Sequence, residues 1–339
     1  MIEMNTVTFT ETIPSLNPDT DTVSVGQSLD VAGLTDQGRQ RLTNEDSFLI
    51  GELKRTMRLV STSIAAADCE TLSAAVQGEV LAVADGIKGG RAGDLASDVA
   101  LRVIAGYMTN VMEWFVGEGD EDRIRAEFEA GFRRCQRRIA REAERIGLGG
   151  RPVGTTLTLA YVVWPRLYVA HVGDSCAFLL RDGQLRRLTS PHTLAQRMID
   201  RHLVSPGDRA VKRFQNVLVN AVGGGTDDMR VEFHAMDLER GDALLLCTDG
   251  LLAHVAEDEI QTYLDRAPSS EDCCHQLIDL ANKRGGRDNI TVVVARTEAR
   301  RLAVASERRH HLQAVEDDSE TTDPRQTAHR PEARKLPVA

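Results

Sequence analysis

Thr155–Arg181 reads TTLTLAYVVWPRLYVAHVGDSCAFLLR. Two β-branched, apolar runs, Thr155–Trp164 and Leu167–Val172, stand either side of Pro165-Arg166, and a third, Cys176–Arg181, follows Gly173-Asp174-Ser175. Runs of this composition between turn residues are expected to be strands and hairpins. Val80–Ala84, Ala243–Thr248 and Ile290–Arg296 repeat the pattern, with Asp182-Gly183 and Arg240-Gly241-Asp242 as turns. Helical spacing marks two longer stretches. In Asp94–Met108 the stripe is Leu95, Val99, Val103 and Tyr107; in Glu121–Ile146 it is Ile124, Phe128, Phe132, Ile139 and Ala143. Weaker helical segments span His192–His202, Glu257–Asp265 and Ser270–Arg284. Hairpins followed by helices, without regular strand–helix alternation, predict an α+β layered domain and not a doubly wound parallel sheet. No repeat of fixed period suggests a solenoid or propeller.

The 339 residues, 42% apolar and 27% charged, suit one large or two ordinary globular domains. Lys and Arg number 41 against 51 Asp and Glu, a net charge of -10 that disfavours nucleic-acid binding. Residues 1–28 read as a flexible arm, and residues 299–339 as a disordered charged tail that could tether a protein partner or serve as an inert linker. No run of 18 or more apolar residues occurs, and Met1–Asp30 lacks the pattern of a leader, so a cytoplasmic protein without a membrane span is expected. Cys69, Cys135, Cys176, Cys247, Cys273 and Cys274 show no C-x-x-C spacing and are expected as reduced, mostly buried thiols.

Acidic residues cluster where apolar runs stop or turns begin: Asn44-Glu45-Asp46, Val83-Ala84-Asp85-Gly86, Gly173-Asp174-Ser175, Thr248-Asp249-Gly250 and Arg287-Asp288-Asn289. Oxygen donors without clustered His or Cys select Mg²⁺ or Mn²⁺ over zinc. The glycines after Asp85 and Asp249 are expected to let the backbone turn sharply and offer a carbonyl beside the carboxylate. Singly, an Asp-Gly pair is an ordinary turn. Taken together, Asp85, Asp249 and Asp288 converging on one pocket would hold two ions able to activate a water and clamp a phosphoryl group, with Arg41 as a fork for its oxygens. Asp85, Asp249, Asp288 and Arg41 are thus the catalytic candidates.

These residues carry a resemblance. Arg41-x-x-Asn-Glu-Asp46, Val83-Ala-Asp85-Gly86, Gly154-Thr-Thr156, Val172-Gly-Asp174-Ser, Leu188-Thr-x-x-His192, Asn216-Val-Leu218 with Gly223-Gly, Thr248-Asp249-Gly-Leu and Gly286-x-Asp288-Asn-Ile-Thr291 occur in an order that resembles the metal-dependent Ser/Thr protein phosphatases of the 2C type, especially the bacterial branch. The similarity runs from about Val31 to Arg296. It implies a single catalytic domain over residues 29–298, built as a four-layer α-β-β-α sandwich of two antiparallel sheets flanked by helix pairs, with a binuclear Mn²⁺ or Mg²⁺ centre at one end. By position, Asp85 bridges both metals, Asp249 and Asp288 complete the first site, and the Gly86 carbonyl serves the second. Glu45 and Asp46 bind nearby through waters, and Asp174 joins Asp249 in a third, weaker site. The implied reaction is hydrolysis of phosphoserine and phosphothreonine on proteins by a metal-bridging hydroxide, without a phosphoenzyme. Targets of a Ser/Thr kinase are the implied substrates. Asn289 is expected to orient Asp288 or its water, Gly154–Thr156 and Gly223–Gly225 to be structural turns, and Leu194–Gln215 to be an irregular flap that touches the substrate.

Some positions depart from the family pattern. Ile87 stands where many eukaryotic members have a His acid, which leaves the leaving oxygen to be protonated by a metal-bound water. Lys88 replaces a usual Gly and is either a solvated rim charge or a second phosphate contact. Cys176 replaces an Arg, and Pro191 an acid, without touching a proposed ligand. His192 is expected to be a structural hydrogen-bonding residue. His171, His202, His234, His254 and His275 are expected to be ordinary core or surface histidines. A non-catalytic phosphatase-fold sensor or adaptor is the alternative, and the retained Asp85, Asp249 and Asp288 argue against it.

Overall fold

In chain order the elements are β1 (Asp30–Asp36), β2 (Asp46–Leu53), β3 (Thr56–Arg58), β4 (Thr71–Ser73), β5 (Gly78–Ile87), α1 (Arg91–Asn110), α2 (Glu121–Arg145), β6 (Gly154–Thr155), β7 (Leu157–Val163), β8 (Arg166–Val172), β9 (Cys176–Arg181), β10 (Gln184–Arg187), α3 (Leu194–Asp200), α4 (Arg209–Phe214), β11 (Val222–Gly223), β12 (Glu232–Asp237), β13 (Ala243–Cys247), α5 (Asp249–Leu252), α6 (Glu257–Arg266), α7 (Ser270–Lys283) and β14 (Ile290–Arg296). The structure is a computed structural model, and it describes residues 29–54, 56–58, 71–73, 78–87, 91–110, 121–148, 152–224 and 228–297. Lys88, Cys69, Gly225, the arm at residues 1–28 and the tail at 299–339 lie outside the described residues.

One sheet runs β1-β14-β13-β9-β10; the other runs β11-β6-β5-β7-β8-β12, with β2 on the free side of β5. Every pairing in them is antiparallel. Because strand side chains alternate between faces, each strand feeds two cores at once. Leu81 and Val83 of β5, Leu244 and Leu246 of β13, and Val293 and Ala295 of β14 meet between the sheets. The alternate residues Val80, Ala82 and Ala84 turn outward onto α1 and α2. On the other side Leu245, Val292 and Val294 pack against α6 and α7. Two sheets back to back, each covered by a helix pair, make the expected four-layer α+β sandwich.

In α2 the buried residues Ile124, Phe128, Phe132, Ile139 and Ala143 are the expected stripe, joined by Gly131 and Cys135. The buried face of α1 is broader than expected and turned by one position: Ala96, Ala100, Ile104 and Met108 are its centre, while Leu95 and Val103 are only partly covered. Sequence reading omitted β1, β2, β3, β4, β10, β11, β12, α4 and α5. β1 carries Gly33 and ends in aspartates, and β2 is half-exposed along much of its length, so neither shows a continuous apolar run. Among the described cysteines, Cys135, Cys176, Cys247, Cys273 and Cys274 are buried and free. No helix among the described residues is long and apolar enough to cross a membrane.

The glycines beside the acids correct one expectation. Neither Gly86 nor Gly250 has a positive φ. They are small because other backbone lies against them: a Cβ on Gly86 would overlap the Gly93 peptide, and one on Gly250 would overlap the Asn289 carbonyl. Close approach draws the ends of β5, α1, α5 and β14 together. Gly250→Ala should therefore lower unfolding free energy by about 1 to 3 kcal/mol, whereas Gly51→Ala, whose Cβ meets open space, should leave a urea melt essentially unchanged. Equal midpoints for the two variants would contradict the packing argument.

Candidate metal centre

Strand parity delivers the acids. In β5 the residues that face the other sheet are Leu81 and Val83, so the next on that face is Asp85. Phe48 packs between the sheets, which places Asp46 on the same side of β2. Asp46 and Asp85 are register partners across the β2–β5 pair. In β14, Val293 and Ala295 are followed back to Thr291 by the same count. The three meet at the mouth of the sandwich, where the apolar filling stops.

Asp249 arrives from the opposite sheet, as the first residue of α5 after Thr248. Asp174 arrives on the turn between β8 and β9, where Gly173 has φ 120° and a Cβ there would overlap Thr156. Carboxylate oxygens of Asp85, Asp174 and Asp249 lie within 4.8 Å of one another. With Arg41, Glu45 and Asp288 they line a pocket of about 480 Å³, which Asn216 and Leu218 close at the end of the segment carrying α3 and α4. Ile87 also lines it. Within Leu194–Gln215, α3 falls inside the helical stretch expected over His192–His202, with Thr193 Oγ1 accepting from Gln196 N–H to cap it, and α4 makes more of the segment helical than expected.

Asp288 reaches the pocket but leans to its rim. Its Oδ2 pairs with Arg41 Nη2 at 2.6 Å, and its Oδ1 accepts the Asn289 N–H at 2.9 Å. The ion pair holds the Arg41 guanidinium above its usual pKa, chiefly through the hydrogen bond to Asp288. Glu45 is buried beside Gly93, where a Cβ would overlap its carboxylate, and Thr43 Oγ1 donates to its Oε1 at 3.3 Å. Asp46 stands behind the pocket: its Oδ2 accepts from Thr248 Oγ1 at 2.7 Å and Thr291 Oγ1 at 2.8 Å. Thr248 Oγ1 in turn accepts the Thr291 N–H at 3.0 Å. Through these bonds one carboxylate ties β2 in one sheet to the ends of β13 and β14 in the other.

Hydroxyls that sequence reading missed fix the rest. Thr156 Oγ1 accepts the Asp85 N–H at 2.9 Å, and Thr155 Oγ1 donates to the Asp85 carbonyl at 2.8 Å. Gly154–Thr156 is thus a clamp on Asp85 and more than a turn. Asn289 acts differently from expectation. Its side chain accepts the Glu45 N–H and donates to the Gln37 and Thr43 carbonyls, each at 2.9 Å, so it fastens the Arg41 loop and meets Asp288 only through its backbone. At the position where an arginine is absent, Cys176, a guanidinium enters from the next strand: Arg187 Nη2 lies 2.6 Å from Cys176 Sγ, and its charge offsets part of the rise that burial and Asp249 impose on the Asp174 pKa.

His171 and His192 also belong to the framework. With Glu232 they bring donor atoms within 4.8 Å of one another, a geometry that could hold an ion. Their atoms are already committed to protein partners. Thr158 Oγ1 bonds His171 Nδ1 at 2.8 Å, and His171 Nε2 lies 3.0 Å from the Gly173 carbonyl. Gly173 N–H donates to His192 Nδ1 at 3.1 Å, and His192 N–H to the Gly173 carbonyl at 2.7 Å. Burial, helped by the neighbouring His192, lowers His171 to about 3, which keeps it neutral. Burial opposes ionisation of Glu232, but hydrogen bonds from His192, His234 and the Ser190 N–H hold it below the usual carboxylate range. This network fixes the turn that carries Asp174.

Electrostatics decides what the acidic mouth can do. Burial first, then mutual repulsion, raises Asp85 well above the ordinary range, Asp46 and Asp174 to about 7, and Asp249 to about 6. Two ionised carboxylates under 5 Å apart repel by about 3 to 4 kcal/mol at an effective dielectric near 20, more than a single hydroxyl hydrogen bond returns. Only protons or cations settle such a cluster, and hard oxygen donors around one pocket fit Mg²⁺ or Mn²⁺.

The comparisons agree with this geometry. Residues 62–292, more than half of the chain, match the family model for protein phosphatase 2C. The chain belongs to the protein phosphatase 2C family. The serine/threonine phosphatase stp of Listeria welshimeri is 31% identical over 77% of this chain and 92% of its own length. The crystal structure of the Mycobacterium tuberculosis serine/threonine phosphatase PstP/Ppp superposes with a TM-score of 0.63 at 30% identity, covering 80% of this chain and 99% of that one. The catalytic domain of PstP, solved in complex with two manganese ions, is 29% identical with a TM-score of 0.61, covering 80% of this chain and 98% of that one. This 2C-type chain is accordingly a protein serine/threonine phosphatase.

A pH test follows from the raised carboxyls of this phosphatase. Without a cation, the stability their protonation contributes is full below about pH 4 and is lost as pH rises through about 6 to 7. A divalent cation competes for the same oxygens. The rise in melting temperature on adding Mn²⁺ to chelator-treated protein should therefore widen from about pH 5 to about pH 8. A gap that stays flat or narrows would contradict a cation at these acids.

Proposed function

We propose that this phosphatase hydrolyses phosphoserine and phosphothreonine on proteins by direct attack of water, with Asp85, Asp249 and Asp288 holding two divalent cations, Mn²⁺ or Mg²⁺. The carrying observation is that carboxylates from both sheets converge within 4.8 Å beneath Arg41 in one open pocket. Cations bound there supply activation of the attacking water and positive charge for the phosphoryl oxygens.

The chain's own residues do the positioning. Asp85 is central, since its carboxylate lies within 4.8 Å of those of Asp249 and Asp174, and Gly86, whose carbonyl is the proposed ligand of the second ion, follows it in β5. Asp174, with Asp249, would hold a third ion. Glu45 contributes from the pocket wall, and Asp46 from behind it, through Thr248 and Thr291. Arg41 lies half-exposed on its loop, so an arriving phosphate dianion can draw its fork away from Asp288 and be gripped by two N–H groups at once.

A phosphorylated intermediate has no suitable host: among the described residues no Ser, Cys or His lines the pocket, and its carboxylates are assigned to cations. Water attacks phosphorus, the bond to the Ser or Thr oxygen breaks, and that oxygen takes its proton from water because Ile87 has none to give.

The test is hydrolysis of p-nitrophenyl phosphate and of a phosphothreonine peptide with Mn²⁺. Turnover should vanish with chelator and in Asp249→Asn, and Arg41→Ala should lower kcat/KM by on the order of 10². Equal, negligible rates for wild type, chelated protein and Asp249→Asn would overturn the proposal.

A further inference from the structure

The outer helix pair carries a groove that the hydrolytic site does not use. It is about 730 Å³, lies between α1 and α2, and is lined by Arg102, Arg134, Arg137, Arg138 and Arg141 with Glu142 as the one acid. Arg134, Arg137, Arg138 and Arg141 recur at intervals of three and four, so they share one face of α2. Arg138 is paired with Glu142 at 2.9 Å and Arg102 with Asp98 at 2.8 Å. Arg134, Arg137 and Arg141 have no carboxylate partner among the described residues. Like charges at these spacings destabilise a helix, and the chain as a whole is acidic, at -10. Helix stability does not account for the stripe.

The opposite wall is low. Nothing stands within 4 Å of the position a Cβ would take on Gly106, and Val103 beside it is only partly buried. The groove thus offers guanidinium forks above a partly apolar floor. Its relation to the pocket is set by α1, whose Gly93 abuts Glu45 and Gly86 at the metal centre. From Gly93 to Arg102 the helix rises about 14 Å, which four or five extended residues span.

We propose that this groove docks an acidic segment of the phosphoprotein substrate itself, lying several residues from the phosphorylated side chain. The inference rests on the phosphatase reading and adds a determinant of substrate choice remote from the reacting phosphate. Carboxylates are the partners that guanidinium forks take two at a time. A nucleic acid would meet the same arginines through its phosphates, and it is the competing occupant that the test separates.

Two phosphothreonine peptides test it, identical except that one carries a run of Glu, the other Gln, beginning about five residues from the phosphothreonine. Wild-type enzyme with Mn²⁺ should show a KM about tenfold lower for the Glu peptide at equal kcat. The preference should fade as salt rises to about 0.3 M. In R137E/R141E the two peptides should become equal while p-nitrophenyl phosphate turnover is unchanged. Anisotropy of a labelled, unphosphorylated Glu segment reads docking without catalysis, so absent turnover would fail the phosphatase reading and leave the groove still judged. Equal KM values in wild type, a preference that survives R137E/R141E, or a lack of Glu-segment binding alongside R137-dependent binding of an oligothymidylate would each overturn the proposal.

Discussion

Repulsion among carboxylates that two sheets force together is the constraint around which this fold is arranged. The apolar filling between the sheets ends where Asp46, Asp85 and Thr291 take the next inward positions, and Asp249 and Asp174 enter from the flanking turns. Left ionised and unneutralised, such a cluster would push the sheet ends apart. What holds them is a frame of hydroxyls and close backbone: Thr248 and Thr291 on Asp46, Thr155 and Thr156 on Asp85, and Gly86 and Gly250 pressed against neighbouring chain. The frame keeps the acids within 4.8 Å, and a cation then converts repulsion into coordination.

Much of this was legible because the strongest signals were local. Cys176–Arg181 and Ile290–Arg296 coincide with β9 and β14, and the apolar stripe of α2 lies where its period put it. Local signals fail for edge or half-exposed strands such as β2 and β12, which bury one face at most and alternate weakly. The order of acidic motifs marked Asp85, Asp174, Asp249 and Asp288, although more than two hundred residues separate the first from the last. Supporting groups were invisible for a physical reason. A threonine such as Thr248 or Thr291 acquires its role only when a distant strand brings Asp46 to it, and no spacing rule encodes that meeting. The same holds for Arg187, whose guanidinium reaches Cys176 across the β9–β10 pair.

The net charge of -10 divides into parts with different work. Residues 1–28 carry -4 and the six acids Glu45, Asp46, Asp85, Asp174, Asp249 and Asp288 carry the other -6, so the rest of the chain is balanced; with two divalent ions the pocket becomes attractive to phosphate. The arginines of α2 concentrate positive charge along the helix layer that packs on the same sheet as Asp85. Catalysis and substrate choice can thereby reside on opposite ends of α1, coupled by a rigid helix and not by a moving part.

Anomalous X-ray scattering at the manganese edge, from crystals grown with Mn²⁺, tests the central claim most directly. The account predicts two peaks in the pocket, one bounded by Asp85, Asp249 and Asp288 and the other by Asp85 and the Gly86 carbonyl, with Arg41 swung away from Asp288. A pocket without a peak, or manganese bound instead among His171, His192 and Glu232, would contradict it.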